Sequence, residues 1–99
     1  MAKIIFTNKA KDDLNEIWDY TFETWSEKQA DKYYEEIIEC CQDLKFNFDR
    51  GKDYSKLVEN LKRIKINRHL IFYRIIKQGV IEIERILHET MDIDKHLNE

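Results

Sequence analysis

The chain has 99 residues, a length for one small domain spanning 1–99, and its 42% hydrophobic, 12% aromatic and 37% charged content is that of a water-soluble folded protein. Two glycines and no proline exclude glycine-rich phosphate loops, the dinucleotide-binding fingerprint and proline-rich ligand segments. The formal charge of -3 conceals a polarised chain: residues 1–50 carry -5, residues 51–74 carry +5 and residues 75–99 carry -3. Lys52, Lys56, Lys62, Arg63, Lys65, Arg68 and Arg74 thus form a basic island able to bind an anionic partner that the overall charge would hide.

No apolar run approaches the roughly 20 residues that cross a bilayer, and the opening Met1-Ala2-Lys3-Ile4-Ile5-Phe6 lacks the pattern of a secretory signal. The expectation is a cytoplasmic protein with no membrane contact. Cys40 and Cys41 are sequence neighbours without a second pair, so they read as free helical thiols rather than a zinc set.

Lys3 to Phe6 is a short β-prone run, and Thr7 or Asn8 is placed to cap a helix over about Lys9 to Thr24. Its apolar stripe is Ala10, Leu14, Ile17, Trp18, Thr21 and Phe22; the carboxylates Asp12, Asp13, Glu16 and Asp19 read as a wet face without metal-site spacing. Ser26 with Gln29 makes a capping box for a second helix from about Glu27 to Phe48, with Ala30, Tyr33, Tyr34, Ile37, Cys41, Leu44 and Phe48 inward. So short a connection predicts a helical hairpin. Trp18 reads as core, and Trp25, at the turn, as hairpin packing or a partner contact.

Gly51 ends the second helix, and Asp53 to Glu59 reads as a loop or short helical turn. Leu61 to Ile66 alternates, with Ile64 and Ile66 on one side and Arg63 and Lys65 on the other. Asn67-Arg68 is a tight turn because Asn tolerates positive φ; Leu70 to Ile76 and Val80 to Leu87 complete a meander about Gln78-Gly79. The predicted fold class is α+β, in the order β-α-α-β-β-β, with an antiparallel sheet packed against the hairpin. Its opposite face is expected to be open and to carry part of the basic island. Beyond it, Met91, Ile93 and Leu97 suggest a short tail segment docked on the body.

The sequence resembles the ParE branch of the RelE/ParE toxin superfamily of toxin–antitoxin modules. The matching pieces are Ala10 with Asp13-Leu14-Asn15-Glu16-Ile17-Trp18-Asp19-Tyr20, Gln29-Ala30 leading to Tyr33, Gly51, and Leu61-Lys62-Arg63. Arg68-His69-Leu70-Ile71-Phe72-Tyr73-Arg74 and Ile83 to Asp92 carry it further, and the likeness covers about residues 3 to 97. Where the family often has Pro before Gly51 this chain has Asn47-Phe48-Asp49-Arg50, and Asn67 replaces a frequent Gly. The resemblance implies a type II toxin that inhibits DNA gyrase and serves plasmid stabilisation, neutralised by a cognate ParD-like antitoxin, with operator DNA reached only through the antitoxin complex. It implies neither intrinsic catalysis nor a cofactor.

The residues leave alternatives open. An RNA-cleaving relative of the RelE type would use His88, Arg63 and Arg85, with a base, an acid and cations for the phosphate. A third alternative is a non-toxic relative that only binds an antitoxin. Partner binding is expected at Arg63, Lys65, Arg68 and Trp25. The resemblance gives the tail, with His88, Met91, Asp92 and Leu97, a role in target inhibition. His69 reads as structural, His88 as a base or a hydrogen-bonding anchor of the tail, and Arg74 and Arg85 as partners of Glu84, Asp92 or a helix carboxylate.

Overall fold

In a computed structural model describing residues 2–98, the chain runs β1 (Lys3–Phe6), α1 (Asn8–Thr24), α2 (Glu27–Asn47), a 3-10 turn (Phe48–Arg50), β2 (Lys52–Asp53), β3 (Lys62–Ile66), β4 (His69–Lys77), β5 (Val80–His88) and α3 (Ile93–Leu97). Both helix starts follow from their caps. Thr7 Oγ1 accepts the Ala10 N–H at 3.0 Å, and Ser26 Oγ accepts the Gln29 N–H at 3.1 Å. The sheet order is β1-β5-β4-β3-β2. Strands β3, β4 and β5 form the antiparallel meander, while β1 pairs in parallel with the first half of β5, Phe6 lying opposite Ile83. The two-residue turn between Ile66 and His69 uses Asn67 at φ 51°, a conformation that Asn tolerates better than most side chains.

The hairpin covers one face of this sheet. Ala10, Leu14 and Ile17 of α1, with Ile37, Cys41 and Leu44 of α2, meet Ile64, Ile71, Tyr73, Ile81 and Ile83 in the main core. Burial pushes the Cys41 thiol up to about 12 and also raises Cys40, which suits both to packing rather than reactivity.

The other face is not open, contrary to the sequence expectation. Leu61, Leu70, Phe72 and Leu87 form a second buried cluster, covered by Tyr54 and Val58 from the segment after β2 and by Ile93 and Leu97 of α3. The physical reason is the run Leu70-Ile71-Phe72-Tyr73, buried at every position: a strand apolar on both sides needs cover on both. Each of these large side chains gains about 1.5–3 kcal/mol from burial, which offsets the roughly 1–2 kcal/mol of backbone entropy lost for each residue of the strap that covers them. Of the tail residues expected to dock together, Ile93 and Leu97 do so, whereas Met91 is 41% exposed.

Several helix readings also change: Tyr34 and Phe48, expected inward, are 37% and 38% exposed, and Phe48 lies past the end of α2. Trp18 is half-buried outside the core, stacked on Phe22 with centroids 5.2 Å apart and donating its indole N–H to Asp31 at 2.9 Å. The buried α1 stripe centres on residues 10, 13, 14 and 17, so positions 18 and 22 rotate to its flank. Asp13, expected on the wet face, is 7% exposed. Its carboxylate accepts Arg85 Nε at 2.9 Å and Nη2 at 3.0 Å, and the Ile86 N–H at 2.9 Å.

Candidate functional site

A groove of about 940 Å³ opens between the helical hairpin and the end of the sheet formed by the β3–β4 turn and the last residues of β5. Ile17 and Ile86 contribute to its apolar lining, and Tyr20, Trp25 and Met91 stand at it 68%, 74% and 41% exposed. Charged side chains divide it: Glu16 and Glu36 come from the helices with Lys32, and Arg68 comes from the turn. Such a concave surface, apolar with a few placed charges, suits a peptide segment that brings its own apolar anchors.

One polar cluster belongs to this groove. Tyr33 Oη lies 2.7 Å from His69 Nδ1 and 3.2 Å from the Ile66 carbonyl, and the His69 and His88 rings meet edge to face at 5.2 Å. Both contacts of Tyr33 are satisfied when His69 donates from Nδ1 and the hydroxyl donates to the carbonyl. Burial, then the neighbouring His88, holds His69 down to about 4 despite the opposing pull of Glu89. His69 is therefore neutral at pH 7. Burial also raises the Tyr33 hydroxyl, against a hydrogen bond involving Asn67. His88 Nδ1 is 2.7 Å from Thr90 Oγ1 and accepts the Thr90 N–H at 3.2 Å, so this nitrogen is engaged by the first turn of the tail.

The candidate residues from the sequence fall into separate places. Trp25, Arg68, His88 and Met91 share the groove. Asp92 caps α3 by accepting the Lys95 N–H at 3.2 Å, and Leu97 lies in the second core. Lys65 holds Glu89 at 2.8 Å, and the same carboxylate takes Arg68 at 3.3 Å. Hydrogen bonding from Lys65 is the leading cause that keeps Glu89 below the usual carboxylate range. Arg63 sits away from the groove, its guanidinium 5.6 Å from the centroid of the Tyr54 ring. Arg85 is tied to Asp13 and donates Nη1 to the His96 carbonyl at 2.9 Å. In the register Phe72 stands between Arg63 and Arg85, so the set His88, Arg63 and Arg85 does not converge on one point. Arg74 pairs with Glu84 at 3.3 Å. Burial, then Glu82, nevertheless raises Glu84 to about 7.

Sequence reasoning did not single out Tyr20, Glu16 or Lys32 as groove residues. The available signal was at Tyr20, an aromatic at i+3 from the buried Ile17 and hence beside the apolar stripe rather than opposite it. Among the described residues, no group of three or more His, Cys, Asp or Glu side chains could hold a metal ion, and no helix is long and apolar enough to cross a membrane.

A helical hairpin laid on a mixed sheet, with an aromatic-edged groove along the turn half of the hairpin, defines a small α+β scaffold in the β-α-α-β-β-β arrangement. The sequence profile of the ParE toxin of the type II toxin–antitoxin system, parDE, matches residues 4–93, and the chain belongs to that family. It is similar to Toxin ParE1 of Caulobacter vibrioides, 32% identical over 92 residues that cover 92% of this chain and 93% of the relative. Toxin ParE1 of Mycobacterium tuberculosis (strain H37Rv) is 28% identical over 96 residues, covering 97% and 98%. Its fold is similar to a chain solved in the chromosomal ParDE TA system from P. aeruginosa, with a TM-score of 0.75 and 23% identity over 89% of this chain and 96% of that one. The α+β, β-α-α-β-β-β architecture expected from the sequence is the one observed, except that β1 pairs in parallel with β5 and makes the sheet mixed where a wholly antiparallel one was expected.

Proposed function

We propose that residues 1–99 act as one cytoplasmic toxin domain that inhibits DNA gyrase without catalysis of its own, and that a cognate ParD-like antitoxin holds it inactive. The observation that carries the antitoxin half of this reading is the groove: three large side chains, Tyr20, Trp25 and Met91, stand exposed around one concavity. A segment disordered alone gains structure by placing apolar anchors there, with acidic residues for Arg68 and Lys32. Affinity is partly salt-sensitive, since rim charges are screened while apolar burial is not. The complex reaches operator DNA through the antitoxin's other part.

The gyrase half draws its support from family membership and from the scatter of the alternative catalytic residues. The paired test is supercoiling by gyrase on relaxed plasmid and mRNA integrity on translating ribosomes. Inhibited supercoiling with intact mRNA is expected; codon-positioned cleavage with normal supercoiling would overturn the reading. Absence of a complex with the adjacent-gene antitoxin at low salt, by titration calorimetry, would remove the antitoxin half.

The tail is part of this proposal. Because α3 covers the second core, deleting residues 88–99 strips Leu61 and Phe72 as well as removing the tail. Met91→Ala and Asp92→Asn leave those contacts in place, and they test the tail's role in inhibition more cleanly than truncation does.

A further inference from the structure

The basic island is split by the fold, and the part outside the groove is distinctive. Lys52 on β2 stands opposite Arg63 on β3, and Lys65 follows two residues along the same strand, about 6.6 Å further on the same face. This is the face away from the helical hairpin, beside the second core. Arg63 differs from the other arginines there and nearby. Arg50, Arg68, Arg74 and Arg85 each hold a carboxylate, as Lys65 does, whereas Arg63 has no ion pair among the described residues, and its buried Nε has no hydrogen-bond partner. That Nε is enclosed and out of an anion's reach; what Arg63 offers is a half-buried positive charge with no carboxylate partner among the described residues, for which an incoming anion supplies the counter-charge.

We propose that the face bearing Lys52, Arg63 and Lys65 docks on the phosphate backbone of duplex DNA. Two observations select this partner. The acidic half of the chain, residues 1–50 at -5, supplies the helices on the opposite side of the sheet, and Glu82 and Glu84 lie two strands away on β5, so the positive charge of this face is local to its β2–β3 edge. The face also lacks a platform for unpaired bases: Arg63 lies over Tyr54, Tyr54 meets Phe72 at 69°, and the largely exposed aromatics sit on the helices and the 3-10 turn. Charges without stacking surfaces read a backbone rather than a single strand. The inference rests on the gyrase reading only for the source of the duplex, which is the DNA held by that enzyme.

The test is fluorescence anisotropy of a labelled 20-base-pair duplex with the purified chain, without antitoxin or gyrase, across a salt series. Each phosphate contact adds about -0.9 to the slope of log affinity against log salt, so the wild type should show about -2 to -3. Lys52→Gln with Arg63→Gln should weaken binding about tenfold and flatten the slope by about 2. Lys52→Glu, at an exposed position, should weaken it about fivefold or more without touching the second core. Lys28→Gln, exposed on α2 on the other side of the sheet, should leave duplex binding unchanged. Wild-type affinity in the Lys52 and Arg63 variants, no salt-dependent binding at low ionic strength, or equal binding of single-stranded RNA through the same residues would overturn the inference. Gyrase supercoiling is measured beside it. Face-dependent duplex binding with uninhibited gyrase sinks the gyrase reading alone, and inhibited gyrase with face-independent binding sinks this inference alone.

Discussion

Asp13 and Arg85 form a two-point ion pair across 72 residues of sequence, Nε to Oδ2 at 2.9 Å and Nη2 to Oδ1 at 3.0 Å, with the side chains 9% and 13% exposed. The pair does the work of an absent strand. β1 stops opposite Ile83, so the outer edge of β5 continues without a ladder; Thr7 Oγ1 donates to the Glu84 carbonyl at 2.7 Å, and Asp13 then takes the Ile86 N–H. Arg85 in turn reaches the His96 carbonyl, which ties α3 to the same anchor.

Asp13→Asn keeps the shape of this anchor and removes its charge. Taking the charge out of this buried pair weakens its charge-assisted hydrogen bonds from Arg85 and from the Ile86 N–H together, so the variant should lose about 3–5 kcal/mol in urea unfolding. In an Arg85→Met background Asp13→Asn should cost less than in the wild type, because the coupling between the two side chains is already gone. A loss under about 1 kcal/mol for Asp13→Asn alone would mean that water replaces the pair at little cost.

The parts of the fold legible in the sequence are those with local causes. Thr7, Ser26 and Asn67 announce two helix starts and a hairpin turn through their own backbone chemistry, and Ile64 with Ile66 shows its face by alternation. The parallel pairing of β1 with β5 has no local signal, since Phe6 meets Ile83 only after the whole chain has folded. Asp13 was misplaced for the same reason: on a helical wheel it borders the buried stripe, and only Arg85, far away in sequence, makes that position tolerable for a carboxylate. The second core was readable in Leu70-Ile71-Phe72-Tyr73, whose continuous apolarity outweighs the alternation of β3 as a guide to two-sided burial. At the candidate site, Trp25 could be flagged by type and position, but the groove that joins it to Met91 and His88 is a property of tertiary distance.

Gly51 is set by close approach rather than by an unusual backbone. A Cβ there would lie 2.0 Å from the Tyr73 hydroxyl and 2.7 Å from its ring carbon, and Tyr73 is fully buried, donating to the Phe48 carbonyl at 2.6 Å. Gly51→Ala should therefore destabilise by about 1–3 kcal/mol as an overpacked site. In a Tyr73→Phe background the hydroxyl clash is gone while the ring clash remains, so the same substitution should cost less but not nothing. Equal costs in the two backgrounds, by chemical denaturation, would show that the hydroxyl is not what excludes a side chain.

His69 and Glu84 oppose one another in pH dependence. His69 falls from 6.5 in the unfolded chain to about 4 when folded, so it favours folding above pH 6.5 and loses that contribution as pH drops through the interval to about 4. Glu84 rises from 4.5 to about 7, so its contribution is complete below pH 4.5 and is lost as pH climbs through about 7. Between these limits the two slopes cancel in part. His69→Gln should leave Glu84 unopposed, and stability should then fall with rising pH from about 4.5 to 7; Glu84→Gln should give the reverse slope from about 4 to 6.5. Urea midpoints at half-unit pH steps read both, and parallel profiles for His69→Gln and wild type would show that His69 titrates normally.

Trp25 separates the two roles that the sequence left open for it. At 74% exposure, with Tyr20 at 68%, it has little burial to lose in the free protein, so Trp25→Ala and Tyr20→Ala should each change unfolding free energy by no more than about 0.5 kcal/mol. In an antitoxin complex the same side chains would be enclosed against the partner, where aromatic anchors carry a disproportionate share of binding energy. Trp25→Ala should then weaken the complex by about 2 kcal/mol or more, roughly thirtyfold in Kd by titration calorimetry. Phe46→Ala, at a site 84% exposed on the last turn of α2 and outside the groove, serves as the control and should leave the affinity unchanged. A large stability loss for Trp25→Ala with unaltered antitoxin binding would return Trp25 to the hairpin, and equal weakening by Phe46→Ala would move the antitoxin off the groove.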